Sequence, residues 1–429
     1  MHQKNAGVAE SANSPIDRSI PRRSSELIDP NTPNDVRTMM STKGEELQLV
    51  FSDEFDENGR KFGKGQDPFW EAVDLWYEPT GDLEYYHPDQ VTTKDGNMVI
   101  TLERKAVGEL EFSSGMVQSW NKFCFQGGRL EVKVRLPGDP LVEGLWPGAW
   151  TLGNLGRAGY KATTDGVWPY SYDSCDNAVK ANQSLTNGLS HLPGQRLNAC
   201  VCTGDHPNPG HGRGAPEIDL IEATSHHSGA EVSQSLQVAP FDEGRQFKAS
   251  DTKVSNGKTK QNDYLGSPLQ QSISALTRLD EKIFEKRGGE FQTFSIEYDY
   301  EDDGYITWFV GKEETWTVNA GAIGANPASK VADRKIPEEP MYIILNLALS
   351  KSFAKGLDTN KLELPSEYLI DYVRLYQNPN KKKVSCDPKS HPTKDYIENH
   401  PKAYYNKNFT SWKGAGYSLP QYTVSDKKC

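Results

Sequence analysis

The stretch Glu217-Ile218-Asp219-Leu220-Ile221-Glu222-Ala223 has the branched apolar residues of a β-strand, yet it carries three acids. Side chains alternate between the two faces of a regular strand, so Glu217 and Asp219 share one face and Glu222 falls on the other. A single β-bulge between Asp219 and Glu222 adds one residue and brings all three carboxylates onto one face. The sequence therefore predicts a bulged strand with three clustered acids.

Three carboxylates on one face repel each other, so folding stability alone does not select them. Retaining glycoside hydrolysis uses two carboxyl groups roughly 5–5.5 Å apart, one as nucleophile and one as acid/base. Along a straight strand the Cα atoms of Glu217 and Glu222 lie about 13–16 Å apart, so the bulge and strand curvature must shorten that separation. A third carboxylate between them can hold a proton and keep the two pKa values apart. The alternatives are an edge strand with a solvated acidic face and a calcium site.

A second motif precedes the acids: Gly144-Leu145-Trp146-Pro147-Gly148-Ala149-Trp150-Thr151-Leu152-Gly153. Gly-Leu-Trp-Pro-x-x-Trp-x-Leu followed by Glu-Ile-Asp-x-x-Glu resembles glycoside hydrolase family 16, in its laminarinase-like branch with a bulged strand. The resemblance implies an all-β, concanavalin-like jelly-roll sandwich of two curved antiparallel sheets, with the acids on the concave one. It also implies that Glu217 is the nucleophile, Glu222 the acid/base and Asp219 its helper.

Further segments narrow the resemblance to the fungal proteins associated with β-1,6-glucan synthesis. They have the sequences NLGRAGY (154–160), GVWPYSY (166–172), LPGQR (192–196) and GRGAP (212–216). The similarity runs from about residue 27 to the C terminus. Members of that family are type II membrane proteins with an N-terminal anchor, which implies that this chain is a lumenal fragment or a form without the anchor. The implied location is the lumen of the endoplasmic reticulum or Golgi, or the cell surface.

The chain itself supports a secretory location only weakly. Its longest apolar run, 341–349, is interrupted by Asn346 and is far shorter than the roughly 20 residues of a membrane span. The N terminus is polar, unlike a signal peptide. Two glycosylation sequons begin at Asn182 and Asn408, although such triplets also occur by chance.

Composition excludes some partners. The net charge of −11 argues against nucleic acid, whose phosphates require clustered Lys and Arg, and the run 381–383 reads as a solvated linker. We expect no cofactor. A structural calcium ion near Asp371 is implied only by relatives, and a surface aspartate is the simpler interpretation. A zinc site from Cys202, His206 and His211 is an alternative whose spacing matches no common zinc pattern.

The even number of cysteines favours disulfides in an oxidising compartment, and the six are Cys124, Cys175, Cys200, Cys202, Cys386 and Cys429. We expect Cys386 to pair with Cys429, because the two bracket a C-terminal extension. Cys175 is expected to pair with one of the two nearby cysteines of the insert, and Cys124 with the other.

The pattern along the chain predicts three regions. Residues 1–45 are expected to be a disordered linker or tail, 46–380 the β-sandwich with a long insert at 156–213, and 381–429 a C-terminal extension closed by a disulfide. Strand patterns are found at 47–52, 98–103, 130–136, 217–222, 232–238, 291–300, 305–310, 341–349 and 369–377. Helical pattern is scarce, and the best candidate is 273–286.

Several side chains are candidate glucan contacts, because the C–H faces of glucose suit aromatic rings, although aromatic residues also dominate protein cores. The aromatic candidates are Trp120, Trp146, Trp150, Trp168 and Tyr170. The polar candidates, for which a satisfied core position is the alternative, are Asn121, Gln234 and Asn346.

Two classes of function are open. The first is a retaining enzyme on β-glucan, either a transglycosylase in cell-wall β-1,6-glucan synthesis or an endo-β-glucanase in which hydrolysis dominates. The second is a non-catalytic glucan-binding scaffold. The intact acid triad favours the enzyme. The sequence sets neither the β-1,3 or β-1,6 linkage nor the balance between transfer and hydrolysis, and we expect a monomer.

Overall fold

A computed structural model describes residues 26–183, 190–241 and 243–421. The strands of this part of the chain are β1 Thr38–Met40, β2 Glu46–Asp53, β3 Glu71–Ala72, β4 Leu75–Trp76, β5 Glu84–Tyr86, β6 Val91–Lys94, β7 Asn97–Leu102, β8 Phe112–Ser114, β9 Met116–Gln118, β10 Gly128–Arg135, β11 Leu145–Gly153, β12 Glu217–His226, β13 Gly229–Val238, β14 Thr252–Val254, β15 Thr259–Gln261, β16 Gly266–Ser267, β17 Gln270–Arg278, β18 Gln292–Asp299, β19 Tyr305–Val310, β20 Glu313–Asn319, β21 Met341–Leu349 and β22 Ser366–Gln377. The helices are short: α1 Lys161–Thr164, α2 Lys394–Asn399 and α3 Pro401–Tyr405.

Two large sheets form the body of the protein. One has ten strands, with the path β1-β2-β22-β10-β18-β19-β20-β14 and with β6 and β7 attached at β22. The other has nine strands, with the path β15-β17-β13-β12-β11-β21-β9-β3 and with β16 beside β17; we call it the acid-bearing sheet. All pairings within both sheets are antiparallel, whereas a small third sheet, β4-β5-β8, contains a parallel pair. The predicted jelly-roll sandwich is confirmed.

Alternation along the strands explains why the sheets face each other. In β10, Leu130, Val132 and Val134 are fully buried, while Glu131 and Lys133 between them point away from the core. Burying such side chains stabilises a fold by about 1.5–3 kcal/mol each. All nine predicted strand segments coincide with strands of the structure, and none extends more than one residue beyond its strand.

Strand β21 departs from alternation, because all nine of its residues are buried. Ile343, Leu345 and Leu347 face the core between the two sheets. Tyr342 and Ile344 face a second apolar cluster on the other side of the acid-bearing sheet. We call this second cluster the cover. It combines residues from the predicted insert, the small sheet and the C-terminal extension, including Leu75, Tyr86, Ala162, Val167, Leu197, Ile397, Tyr404 and Trp412.

Three predictions of local structure are wrong. The helix expected at 273–286 is β17 followed by a 3-10 turn at Glu281–Ile283, because Ile273 and Ala275 alternate with Ser272 and Ser274 and the strand pairs with β13. The disordered tail is contradicted from residue 26 onward, since β1 pairs with β2. Residues 1–25 lie outside the described part, and the boundaries near 46 and 380 stay predictions.

The third correction concerns the disulfides. Cys386 is bonded to Cys124 rather than to Cys429, which lies outside the described residues. The chain after β22 runs back to the turn after β9, where Gln126 N–H donates to the Lys383 carbonyl at 3.0 Å and places the two cysteines together. The predicted pairing of Cys175 with a cysteine of its own insert is confirmed, with Cys200. Cys202 is also disulfide-bonded.

No helix within the described residues is long and apolar enough to cross a membrane.

Candidate active site

The predicted β-bulge lies where the sequence placed it and is confirmed. In the β12–β13 pair, Asp219 is opposite Ser235 and Glu222 is opposite Ser233, so the two residues between the acids face the single residue Gln234. The extra residue turns Glu222 onto the face of Asp219.

The bulge is held from the core side. The buried Gln234 amide donates to the carbonyl of Leu220 at 3.3 Å, and its own oxygen accepts from the Thr315 hydroxyl at 2.7 Å. The indole Nε1 of Trp308 donates to the Asp219 carbonyl at 2.8 Å. Carbonyls that the bulge removes from the regular ladder therefore keep partners, as buried backbone groups must.

Asp219 is the centre of the triad and is 2% exposed. Its Oδ2 accepts from Ser235 Oγ at 2.6 Å and from Gln237 Nε2 at 3.0 Å. The same Ser235 hydroxyl lies 3.2 Å from Glu222 Oε2, so one hydroxyl connects two carboxylates. Asp219 and Glu217 also share a hydrogen bond between their carboxyl groups. All three acids are thus joined through Asp219.

The two outer acids are each bound by a tryptophan. Trp168 Nε1 donates to Glu217 Oε2 at 2.6 Å, and this bond brings the insert onto the acid-bearing sheet. Glu222 receives hydrogen bonds from Trp146 and Ser233. Both glutamates are partly exposed, so a ligand can reach them.

Burial raises the pKa of every carboxyl group in the triad, and repulsion by Asp219 adds to the shift of both glutamates. Burial raises the pKa of Asp219 to about 6, although the hydrogen bonds from Ser235 and Gln237 oppose the shift. Burial and the Asp219 charge raise the pKa of Glu222 to about 8. The same two causes hold the pKa of Glu217 well above its ordinary range, against the Trp168 bond. One proton shared by Glu217 and Asp219, and a second on Glu222, fits these directions at neutral pH.

Three of the aromatic candidates lie beside the acids. Trp146 stacks on Phe353 with ring centroids 4.1 Å apart and bonds Glu222. Trp150, opposite Asp219 on β11, donates from Nε1 to Asn346 Oδ1 at 2.9 Å. Trp168 bonds Glu217, as described above. All three rings are partly exposed.

Asn346 also lies near the acids, in the cross-strand row that contains Glu222 and Gly148. A Cβ atom at Gly148 would lie 2.5 Å from Asn346 Oδ1, so only glycine lets the amide lie this close to the neighbouring strand. Asn346 Nδ2 donates to the Tyr86 hydroxyl at 3.1 Å. The amide is 9% exposed, and its position fits either the predicted substrate contact or the core alternative.

Three of the remaining four candidates are buried, which argues against their predicted substrate contacts, while the fourth, Asn121, is partly exposed. Tyr170 is fully buried and bonds Gln183 inside the insert. Trp120 is 6% exposed and stacks on Tyr404 within the cover. Gln234 supports the bulge from the core. Asn121 occupies a left-handed position, with φ of 54°, in the turn after β9. Tyr170, Trp120 and Gln234 thus serve packing or the bulge, and the substrate contact of Asn121 stays a prediction.

Sequence reasoning missed the polar row on β13. Ser233, Ser235 and Gln237 lie two residues apart on the face of the acids, and this alternation could have identified them. It also missed Tyr77 and Tyr264. The charge of Glu217 contributes to the raised pKa of Tyr77, and the charge of Glu222 to that of Tyr264. These two come from distant loops with no motif.

Nothing in the described ranges groups three or more His, Cys, Asp or Glu side chains as a metal site would. Asp371, the residue considered for calcium, pairs with Lys133 at 2.6 Å. Cys202 is in a disulfide and offers no thiolate to zinc.

The fold and the site define a jelly-roll β-sandwich with a hydrogen-bonded acid triad on one face of its nine-stranded sheet. The chain belongs to the family described as beta-glucan synthesis-associated protein SKN1/KRE6/Sbg1, whose model matches residues 2–429.

Relatives in two yeasts show the extent of the match. The chain is 47% identical to the beta-glucan synthesis-associated proteins SKN1 and KRE6 of Saccharomyces cerevisiae, over 92% and 94% of its length. It is 46% identical to SKN1 of Candida albicans over 95% of its length. It spans only 52–56% of the length of these relatives.

Solved structures align at lower similarity. The laminarinase catalytic domain from Thermotoga petrophila RKU-1 aligns with a TM-score of 0.48 and 19% identity, over 78% of this chain and 100% of that chain. SCLam, a non-specific endo-beta-1,3(4)-glucanase from family GH16, aligns with a TM-score of 0.48 and 18% identity, over 79% and 93%.

Proposed function

We propose that this protein is a retaining β-glucan transglycosylase of cell-wall β-1,6-glucan assembly. The observation that carries the proposal is the triad, in which two partly exposed glutamates are joined through a buried aspartate. A scaffold that only binds glucan gains nothing from three repelling carboxylates. The names of the yeast relatives, which associate them with beta-glucan synthesis, support the biological setting.

The proposed reaction has two steps. In the first, a carboxylate oxygen of Glu217 attacks the anomeric carbon while Glu222 gives its proton to the departing glycosidic oxygen, so a glycosyl ester forms and a shortened glucan leaves. In the second, Glu222 takes a proton from an acceptor hydroxyl, whose oxygen displaces Glu217. The proton shared with Asp219 must lie on Asp219 when Glu217 attacks, so that Asp219 donates to the nucleophile it orients.

Transfer is distinguished from hydrolysis by the acceptor. Water is at about 55 M, so a sugar hydroxyl competes only when it is bound and oriented, which gives it a high effective molarity. Trp146 and Trp168 are the proposed holders of that sugar, since both rings are partly exposed beside a glutamate. Tyr170 was also a candidate glucan contact, but it is fully buried and we do not assign it to the acceptor sugar.

Product analysis on defined oligosaccharides tests the proposal. With linear β-1,3- and β-1,6-gluco-oligosaccharides, NMR at early times should show a β-configured new anomeric centre, and chromatography should show products longer than the substrate. Replacing Trp146 by Ala should raise the ratio of hydrolysis to transfer more than it lowers total cleavage. Shortened products alone at high oligosaccharide concentration would favour the endo-β-glucanase alternative. An inverted product would refute the assigned mechanism, and a protein that binds without turnover would favour the scaffold.

We also propose that the chain works in the secretory lumen or at the cell surface, anchored in the full-length form as a type II membrane protein. The Cys124–Cys386 and Cys175–Cys200 bonds support an oxidising compartment. The side chain at the predicted sequon Asn408 is exposed, as glycosylation requires. Retention of the two bonds in protein purified from the secretory fraction, measured by thiol labelling, tests this location.

A further inference from the structure

We propose that the binding cleft is closed on one side of the acids, so that the protein engages the end of a glucan chain and not a segment in its middle. The inference rests on the proposed function, because it concerns the same site. It adds to that proposal by specifying which part of the polymer the site accepts.

The evidence is the burial of every cross-strand row on one side of the triad. From Asp219 the row continues through Trp150 to Ile344 and Gln118, which are 0% and 1% exposed. From Glu222 it continues through Gly148 to Asn346 and Met116, and Met116 is 1% exposed.

The third row, from Glu217, shows the same closure. It continues to Leu152 and Tyr342, which are 2% and 0% exposed. Beyond β11 the face of the acid-bearing sheet is therefore under the cover in all three rows. A sugar ring has no room to lie on this half of the sheet.

The cover is fixed and not a mobile lid. The Cys124–Cys386 bond attaches the C-terminal extension to the turn after β9. Arg157, which is 4% exposed, donates to the Tyr404 carbonyl at 2.7 Å and pairs with Glu71 at 2.9 Å, so one guanidinium joins three parts of the chain. Breaking this pair would leave the buried guanidinium without its counter-charge, which is strongly destabilising. Thermal motion does not open such a cover often.

The other side of the triad has a different character. Towards β13 and β17 the same face carries small polar side chains in place of an apolar cluster, although Ser235 and Ser272 are themselves 1% and 2% exposed. The surface opens in the Glu222 row, where Leu276 on β17 is partly exposed and Lys260 on β15 is exposed. Thr224 and His226, further along β12, are partly exposed. Tyr264 is 52% exposed at this edge, and the charge of Glu222 contributes to its raised pKa. A glucan can therefore extend from Glu222 in this direction.

A one-sided cleft constrains the substrate. A chain that lies across the acids needs room on both sides of the reacting bond, whereas a chain end needs room on one side and a short pocket on the other. The partly exposed rings of Trp150 and Trp168, which pack against the cover, line the short side. The structure thus fits a protein that adds to, or takes from, chain termini.

Binding to a ring-shaped glucan tests this directly, because a cyclic β-1,3/1,6-glucan has the same linkages but no ends. We suggest calorimetric titration of the Glu222→Gln variant, which keeps the shape of the site and blocks turnover, with linear oligosaccharides of two to ten units and with the cyclic glucan. Linear chains should bind, with an affinity that stops improving at a short length. The cyclic glucan should bind at least tenfold more weakly, and a Kd within threefold of that of a long linear chain would overturn the inference. Failure of both ligands would instead refute the proposed function, and the inference with it.

Two exposed tyrosines provide a matched pair of variants. Tyr264 lies at the open side, while Tyr405 lies on the outer surface of the cover and is 48% exposed. In the Glu222→Gln background, Tyr264→Ala should weaken binding of linear chains several-fold and Tyr405→Ala should leave it unchanged. The opposite pattern would place the glucan over the cover and would overturn the inference independently of the cyclic ligand.

Discussion

Replacing Ser235 by Ala tests the electrostatics of the triad without removing an acid. The hydroxyl lies 2.6 Å from Asp219 Oδ2 and 3.2 Å from Glu222 Oε2, and it lowers the pKa of both. Removing it should raise both pKa values. Activity should require that the Glu217–Asp219 pair has lost one proton and that Glu222 keeps its own. Both limbs of the pH profile should therefore move to higher pH.

The size of the shift follows from the two distances. A hydrogen bond to a charged group contributes about 1.5–3 kcal/mol, and one pKa unit corresponds to about 1.4 kcal/mol. The short bond to Asp219 should move the acid limb, expected near pH 6 in the wild type, upward by about one to two units. The longer bond to Glu222 should move the alkaline limb, expected near pH 8, by less than about one unit.

The assay is kcat/KM against pH on a linear gluco-oligosaccharide for which the wild type shows turnover, with circular dichroism at each pH. Ser233→Ala is the matched control, because Ser233 lies on the same strand and face but bonds only Glu222. It should move the alkaline limb alone. An acid limb that stays in place in Ser235→Ala, or moves to lower pH, would refute the role given to Asp219.

Three further outcomes are expected. Glu217→Gln should lower kcat by at least about a thousandfold with an unchanged circular dichroism spectrum, and a glucosyl epoxide should label Glu217; activity within tenfold of wild type would contradict the nucleophile assignment. Trp168→Phe keeps a ring but removes the bond to Glu217, so kcat should fall about 10- to 100-fold while KM changes less; an unchanged kcat would show that this bond does not tune the nucleophile. Replacing Cys124 and Cys386 together by Ala should lower the free energy of unfolding in urea by about 2–4 kcal/mol, because the bond joins positions 262 residues apart; equal stability would mean that packing alone holds the extension.

The part of the site that depends on local sequence pattern was predictable. The alternation rule applied to one heptapeptide located the bulge to the residue pair, and the structure has it between Asp219 and Glu222. The strand positions were predictable from periodicity. A strand with one solvent-exposed face alternates polar and apolar residues, as β10 does. The catalytic roles of the acids stay predictions.

The wrong predictions concern residues whose burial depends on distant parts of the chain. Tyr170 and Trp120 have the composition of sugar contacts, but residues brought in by the insert and the C-terminal extension bury them. Gln234 was assigned to the substrate because it follows the acids, yet the bulge needs a donor on its core side. The segment that forms β17 was predicted to be helical. Ser272 and Ser274 are small and do not indicate which face of a strand is buried, so the alternation of a strand was not recognised. None of this is visible in a window of ten residues.

The strand Met341–Leu349 has a consequence for how the molecule unfolds. It forms one wall of the core between the sheets and, on its other face, the floor of the cover. Neither apolar cluster can therefore lose its packing without exposing a side of the same strand. We expect the C-terminal extension and the sandwich to melt as one cooperative unit, with a single calorimetric transition whose enthalpy matches the van't Hoff value. A single transition would make the extension part of the folding unit and not an appended module.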